Sequence, residues 1–176
     1  MIANNIAEAA VSMAEAQAYA RVETGEEEAL LAGLVRTASA LCESFTGQVL
    51  VARAFEEVLP VGSQWQRLAL TPVRAIDDVA VLASDGGVTV LPAGEFEIDI
   101  DGRGDGWVRS PRGGGLKIRV RGQAGVALEP NGVPEPLRQG ILRLVAHLFA
   151  TRDGSDGEPP AAVTALWRPY RRIRLA

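Results

Sequence analysis

The sequence predicts an α+β protein: a helical core of about three helices, an inserted small antiparallel β domain, and an extended C-terminal tail. Apolar residues recur at helical spacing in the first quarter of the chain and again from Leu137 to Phe149. Between residues 48 and 125 they instead alternate or cluster in short runs bounded by glycine and proline. A polar stretch, Asp153 to Pro160, then separates the last helical pattern from an arginine-rich end. These changes divide the chain into 1–47, the N-terminal helical part; 48–125, the β-rich insert; 126–152, a loop and core helix; 153–160, a flexible linker; and 161–176, the tail.

Ser12 and Glu15 stand at the spacing of a capping box, so a short helix is expected from Met13 to Arg21, and Thr24 with Glu27 repeats the signal. From Glu26 to Thr46 the residues Leu30, Leu31, Leu34, Ala38, Leu41, Cys42 and Phe45 follow helical spacing. Gly47 stands where a left-handed C-cap is expected, and Glu26, Glu27 and Glu28 lie where the helix dipole favours negative charge. Seven short strands are expected next: Val49–Leu59, Trp65–Leu70, Val79–Leu82, Val88–Leu91, Phe96–Ile100, Gly106–Arg109 and Leu116–Arg121. Asp85-Gly86-Gly87 reads as a hairpin turn. Leu137, Ile141, Leu144, Val145, Leu148 and Phe149 define the face of a third helix ending near Arg152, and Ala161 onward begins with a short helical turn.

The 176 residues include one cysteine and one histidine, which excludes a disulfide framework and a Cys/His zinc site. No apolar run approaches the roughly 20 residues of a membrane span, and Met1 to Ala10 carries no basic segment, so synthesis in the bacterial cytoplasm without membrane association is expected. Of 18 basic side chains 17 are arginine, a bias that a GC-rich coding sequence also produces. Their placement is more informative. Residues 1–46 hold seven acidic and two basic side chains, whereas residues 138–176 hold seven arginines against three acids.

Several motifs dissolve on inspection. Asp99, Asp101 and Asp105 resemble a calcium loop, but Arg103 and Ser110 occupy positions where ligands belong, so a polar turn is expected. Arg112-Gly-Gly-Gly-Leu-Lys117 lacks the spacing of a phosphate loop. His147 falls on the flank of the third helix with no nucleophile in a recognisable elbow, Cys42 lies on an apolar stripe, and Asp77 and Asp78 are too close in sequence to form a hydrolytic pair. No catalytic residue, cofactor or metal site is expected, and the protein is read as a non-enzyme. The tail remains: Trp167, Tyr170 and Ile173 are spaced by three, with Arg168, Arg171, Arg172 and Arg174 between them, a mixture of the kind that dominates binding hot spots. A tail folded back on its own domain, a solvated basic end and a nucleic-acid arm drawing on counterion release are the alternatives.

Taken together, Ala14-Glu-Ala-Gln-Ala-Tyr-Ala-Arg-Val22, Cys42-Glu-Ser-Phe-Thr-Gly47, the β insertion, Val133-Pro-Glu-Pro-Leu-Arg138 and Pro169-Tyr-Arg-Arg-Ile-Arg174 resemble the head-tail connector (adaptor) proteins of tailed bacteriophages, particularly those of gene transfer agents. Trp167 departs from the pattern, which has a smaller apolar residue there. The resemblance implies a structural protein in the neck of the particle. It would form a homo-oligomeric ring, a dodecamer, beneath the portal protein, receive a stopper or other downstream neck or tail protein, and let DNA pass without specific binding. It further implies that Trp167, Arg168, Pro169, Tyr170, Arg171, Arg172, Ile173, Arg174 and Leu175 contact the portal. The alternative is a small nucleic-acid-binding protein that uses the arginine-rich tail.

Overall fold

The computed structural model describes residues 8–22, 27–110, 117–151 and 160–172. They form the expected α+β fold, divided into two compact units: the described parts of 52–125 build the β unit, and the described parts of 8–51 and 126–172 build the helical unit. Among these residues no helix is long and apolar enough to cross a membrane.

The helical unit contains α1 (Met13–Ala20), α2 (Glu28–Thr46), α3 (Glu135–Ala150) and α4 (Ala161–Trp167). The capping box forms as expected: the Ser12 hydroxyl accepts from the Glu15 N–H at 3.2 Å, while the Glu15 carboxylate accepts from the Ser12 N–H at 2.8 Å. Thr24 lies outside the described residues, and α2 starts from Glu27 without a side-chain cap. Gly47 ends α2 at φ 68°, the left-handed conformation that glycine adopts without steric cost. Helix α3 enters through Val133-Pro134, with Pro136 in its first turn where a missing N–H costs no intrahelical bond. The core is a single apolar cluster with Leu31, Val35, Ala38 and Cys42 from α2, Leu137, Ile141, Leu144 and Val145 from α3, and Val163 and Trp167 from α4.

Several expected boundaries move. Residues 49–51 do not begin the first strand but belong to the helical unit, where the Val49 and Leu50 carbonyls accept from the N–H groups of Val126 and Ala127. The strand expected over Trp65–Leu70 contracts to Gln66–Arg67. The strand expected from Val79 begins at Val73, because register shifts between Val73 and Ala75 and between Ile76 and Asp78 disrupt the alternation that would have marked it.

The β unit consists of β1 (Arg53–Pro60), β2 (Gln66–Arg67), β3 (Val73–Leu82), β4 (Val88–Val90), β5 (Glu97–Ile100), β6 (Gly106–Arg109) and β7 (Lys117–Ala124). One antiparallel sheet runs β1-β7-β3-β4, and a second runs β2-β6-β5. On β7 the residues Ile118, Val120, Gly122 and Ala124 face inward while Arg119 and Arg121 meet Asp78 and Glu56 on the outer face. Gly122 is required by packing: a Cβ there would lie 2.2 Å from the Ala75 carbonyl oxygen and 2.9 Å from the Phe55 ring. The expected hairpin turn joins β3 to β4, with Gly86 at φ 89°.

Candidate docking surface at the C-terminal segment

The residues expected to dock fall into three groups. Trp167 is 1% exposed and is a core side chain. Its indole lies on α3 over Gly140, where a Cβ would come within 2.0 Å of Nε1, and it donates from Nε1 to the Leu137 carbonyl at 3.2 Å. Its ring centroid is 5.9 Å from that of Phe45 on α2, so one side chain ties α4 to both longer helices. The indole is therefore not presented to a partner. The missing side chain at Gly140 leaves the room that the indole fills.

Arg168, Pro169, Tyr170, Arg171 and Arg172 follow as a 3₁₀ turn and an extended pair. They are folded back on the end of α2 rather than extended from the domain. Gln48 Nε2 donates to the Tyr170 carbonyl at 2.6 Å, and the Arg172 N–H donates to the Thr46 carbonyl at 2.8 Å, satisfying one of the orphan acceptors of the α2 C-terminus. The Arg171 guanidinium lies 5.5 Å from the Phe45 ring centroid, placing positive charge at the negative end of the helix. Arg168, Pro169 and Arg171 are exposed, and Tyr170 and Arg172 are half-buried. Ile173, Arg174 and Leu175, like the expected linker residues 153–159, lie outside the described residues.

Arg138, to which the sequence reading gave no site role, fastens α1 to α3. Arg138, 8% exposed on α3, donates to the Ala10 carbonyl at 3.2 Å, to Glu135 at 2.9 Å and to the Glu15 carboxylate of α1. Its sequence signal is spacing: Arg138, Ile141 and Val145 share one helical face, so its charge had to be paired inside. Glu15 is held below its ordinary pKa of 4.5 by the Ser12 N–H first and by Arg138 besides. A depressed folded pKa adds stability above the unfolded pKa that is lost as pH falls through the folded value. Urea unfolding of Glu15→Gln against the parent should therefore show a stability difference at pH 7 that shrinks below about pH 4. A difference constant from pH 7 to pH 3 would contradict the pairing.

Cys42 and the acidic turn are taken up by packing and by local hydrogen bonds. Burial pushes the Cys42 thiol far above its ordinary pKa, which removes the thiolate a nucleophile needs. The Asp101 carboxylate accepts from the N–H groups of Arg103 and Asp105, and Asp105 is occupied by Arg67 at 2.6 Å and Thr71 at 3.0 Å, which is a polar turn. Among the described residues no three His, Cys, Asp or Glu side chains converge as metal ligands.

No protein-family model matches the sequence, and no curated protein matches it. Solved structures do share its fold. A chain from the neck of an empty gene transfer agent particle, computed with C6 symmetry, aligns at TM-score 0.80 and 24% identity. A chain from the virion of a native gene transfer agent particle aligns at 0.77 and 23%. A chain from the neck of a native particle computed with C12 symmetry aligns at 0.73 and 22%. Each alignment covers 100% of this chain and 97% of the other. Both units, and the connections between them in sequence, thus belong to a fold also found in chains of gene transfer agent particles.

Proposed function

We propose that this protein is a structural connector of a phage or gene transfer agent neck, without enzymatic activity. In this reading it forms a ring beneath the portal, joins the capsid to the next neck or tail protein, and leaves a channel for DNA. The observation that carries the reading is the whole-chain likeness to chains of gene transfer agent particles, with 97% of the neighbouring chain matched. The folded-back arginine segment supports a portal contact, since Arg168 and Arg171 are exposed on a turn already held in place by Gln48 and Thr46. Preorganisation of this kind lowers the ordering cost of binding. The contacting set is then Arg168 to Arg172 and the residues after them, with Trp167 as the internal support of that turn.

The position of Trp167 dictates the test. A cut after Pro160 would remove core, so the informative truncation ends at Arg172. Deleting residues 173–176 together with Arg168→Glu should leave the unfolding curve near that of the parent and reduce incorporation into portal-bearing particles at least about tenfold, the loss expected from removing hot-spot residues. Normal incorporation of the folded variant would refute the portal contact. Tight, salt-sensitive binding of the intact protein to duplex DNA would instead favour the nucleic-acid role.

A further inference from the structure

Each sheet of the β unit ends in a strand with one open side. On β4 the Gly87 carbonyl accepts from the Ala83 N–H at 2.8 Å and the Leu91 N–H donates to the Val79 carbonyl at 2.9 Å, so Thr89 between them also turns its backbone groups to β3. Those of Val88 and Val90 point the other way. On β6 the Gly106 carbonyl accepts from the Leu68 N–H at 2.8 Å and the Ser110 N–H donates to the Gly62 carbonyl at 2.9 Å, both on the β2 side. Trp107 and Arg109 therefore answer Asp99 and Glu97 on β5, and the Asp101 N–H continues the alternation by donating to the Asp105 carbonyl at 3.0 Å. The N–H and C=O groups of Ile98 and Ile100 are left pointing away from β6. Among the described residues nothing meets the outward backbone groups of these four residues.

Their side chains are uncovered as well. Val88 and Val90 are 48% and 59% exposed, Ile98 and Ile100 43% and 37%. They are four of the five exposed large apolar residues in the described part of the β unit, the fifth being Trp65. An open, apolar edge is a template for a further strand, which proteins ordinarily block with proline, lysine or a bulge. Neither β4 nor β5 contains a proline or a lysine, and their pairings with β3 and β6 run without a register shift.

The two edges fit each other. Set antiparallel, Val88 comes opposite Ile100 and Val90 opposite Ile98, so that their outward N–H and C=O groups meet and all four apolar side chains fall on one face. Thr89 then stands opposite Asp99 on the other face, where its hydroxyl can donate to a carboxylate that has no ion pair among the described residues. Pairing β5 with another β5 in the corresponding register sets Asp99 against Asp99, and like charges directly opposite are unfavourable. Within one chain β4 and β5 are not paired. The occupant that suits the β5 edge is therefore β4 of a second copy. Each copy has one edge of each kind, and contact between two different patches on identical chains closes into a ring when the rotation permits.

We infer that β4 of one copy of this chain adds to the open edge of β5 of a neighbouring copy, with Val88 opposite Ile100 and Val90 opposite Ile98. This inference rests on the ring-forming connector reading and specifies which strands join the copies.

The test uses particles from cells that co-express two full-length variants with different epitope tags, Thr89→Cys and Asp99→Cys. Opposite residues whose backbone groups turn away from each other stand about 4.5 Å apart at Cα, within reach of a disulfide. Mild oxidation should give a disulfide-linked species carrying both tags, and the two tags exclude a bond within one copy. The parent should give none, because Cys42 is buried. Dimers carrying one kind of tag alone would show a strand paired with its own kind and overturn the inference. Absence of a two-tag species from particles that contain both variants would also overturn it, while leaving the connector reading intact. Absence of the parent chain from particles would defeat both. As a second measure, Val90→Pro removes an outward N–H while sparing the bond from Leu91 to Val79. Added to the Thr89→Cys copy, it should lower the yield of the two-tag species several-fold, and an unchanged yield would contradict pairing through this edge.

Discussion

Trp167→Ala is expected to destabilise the helical unit by about 3–5 kcal/mol, the range for removing a large buried aromatic. That is a substantial share of the roughly 5–15 kcal/mol that holds a typical domain together. The loss has three parts: the indole contacts with Gly140 and Phe45, the hydrogen bond to the Leu137 carbonyl, and the attachment of α4 to α2 and α3. Trp167→Phe should retain most of the packing and lose mainly the hydrogen bond, at about 1 kcal/mol. Gly140→Ala tests the same contact from the other side. A methyl group placed 2.0 Å from Nε1 must displace the ring, so the single substitution should be strongly destabilising. In the Trp167→Ala background it should be neutral or stabilising, since the clash is gone and alanine is the better helix former by up to about 1 kcal/mol. Urea unfolding monitored by circular dichroism, run as a double-mutant cycle, measures this sign change. Additive penalties would mean that the two residues do not meet.

The same substitution links stability to docking. Without Trp167, α4 loses its hold, and the turn carrying Arg168 and Arg171 loses the helix that delivers it to the end of α2. Trp167→Ala should therefore weaken incorporation into particles without altering any exposed side chain. An apparent docking phenotype at Trp167 would be a packing effect, separable from the Arg168 variant because that should not shift the unfolding midpoint.

What the sequence made legible follows from the range of the interactions involved. The capping box at Ser12, the glycine stop at Gly47, the hairpin at Gly86 and the apolar period of α3 are local signals, and each appears in the structure where its residues stand. The start of β3 was hidden because two register shifts interrupt its alternation. The role of Trp167 was misjudged for a different reason. An aromatic residue beside arginines reads alike whether it faces a partner or its own core, and the deciding neighbour, Gly140, is remote in sequence. A signal was nevertheless present: Val163, Trp167 and Tyr170 share one helical face, and Gly140 interrupts α3 beside its apolar stripe. The outer leucines of α2 were misleading in the same way. Leu30 and Leu41 fit the helical period as well as Leu31 and Cys42 do, and only burial separates the two faces.

Arg138→Ala should produce the other large effect, about 2–4 kcal/mol. Breaking a fully buried ion pair costs about 3–5 kcal/mol, and the lower figure applies because Glu15 and Glu135 retain 40% and 67% side-chain exposure and can turn to water. The Ala10 carbonyl has no such recourse in its buried surroundings, and an unmet buried acceptor alone costs about 1–3 kcal/mol. Arg138→Lys should recover only part of the loss, since an ammonium cannot reproduce the planar fork that meets three acceptors on separate segments. The effect should also be regional. Ala10, Ser12 and Glu15 depend on Arg138 for their attachment to α3, whereas α2 and α3 remain joined through Leu31, Val35, Ile141 and Val145. Hydrogen exchange of Arg138→Ala should therefore accelerate across α1 first while α2 and α3 keep most of their protection. Uniform acceleration across all four helices would show that α1 is integral to the cooperative core rather than fastened to it by this side chain.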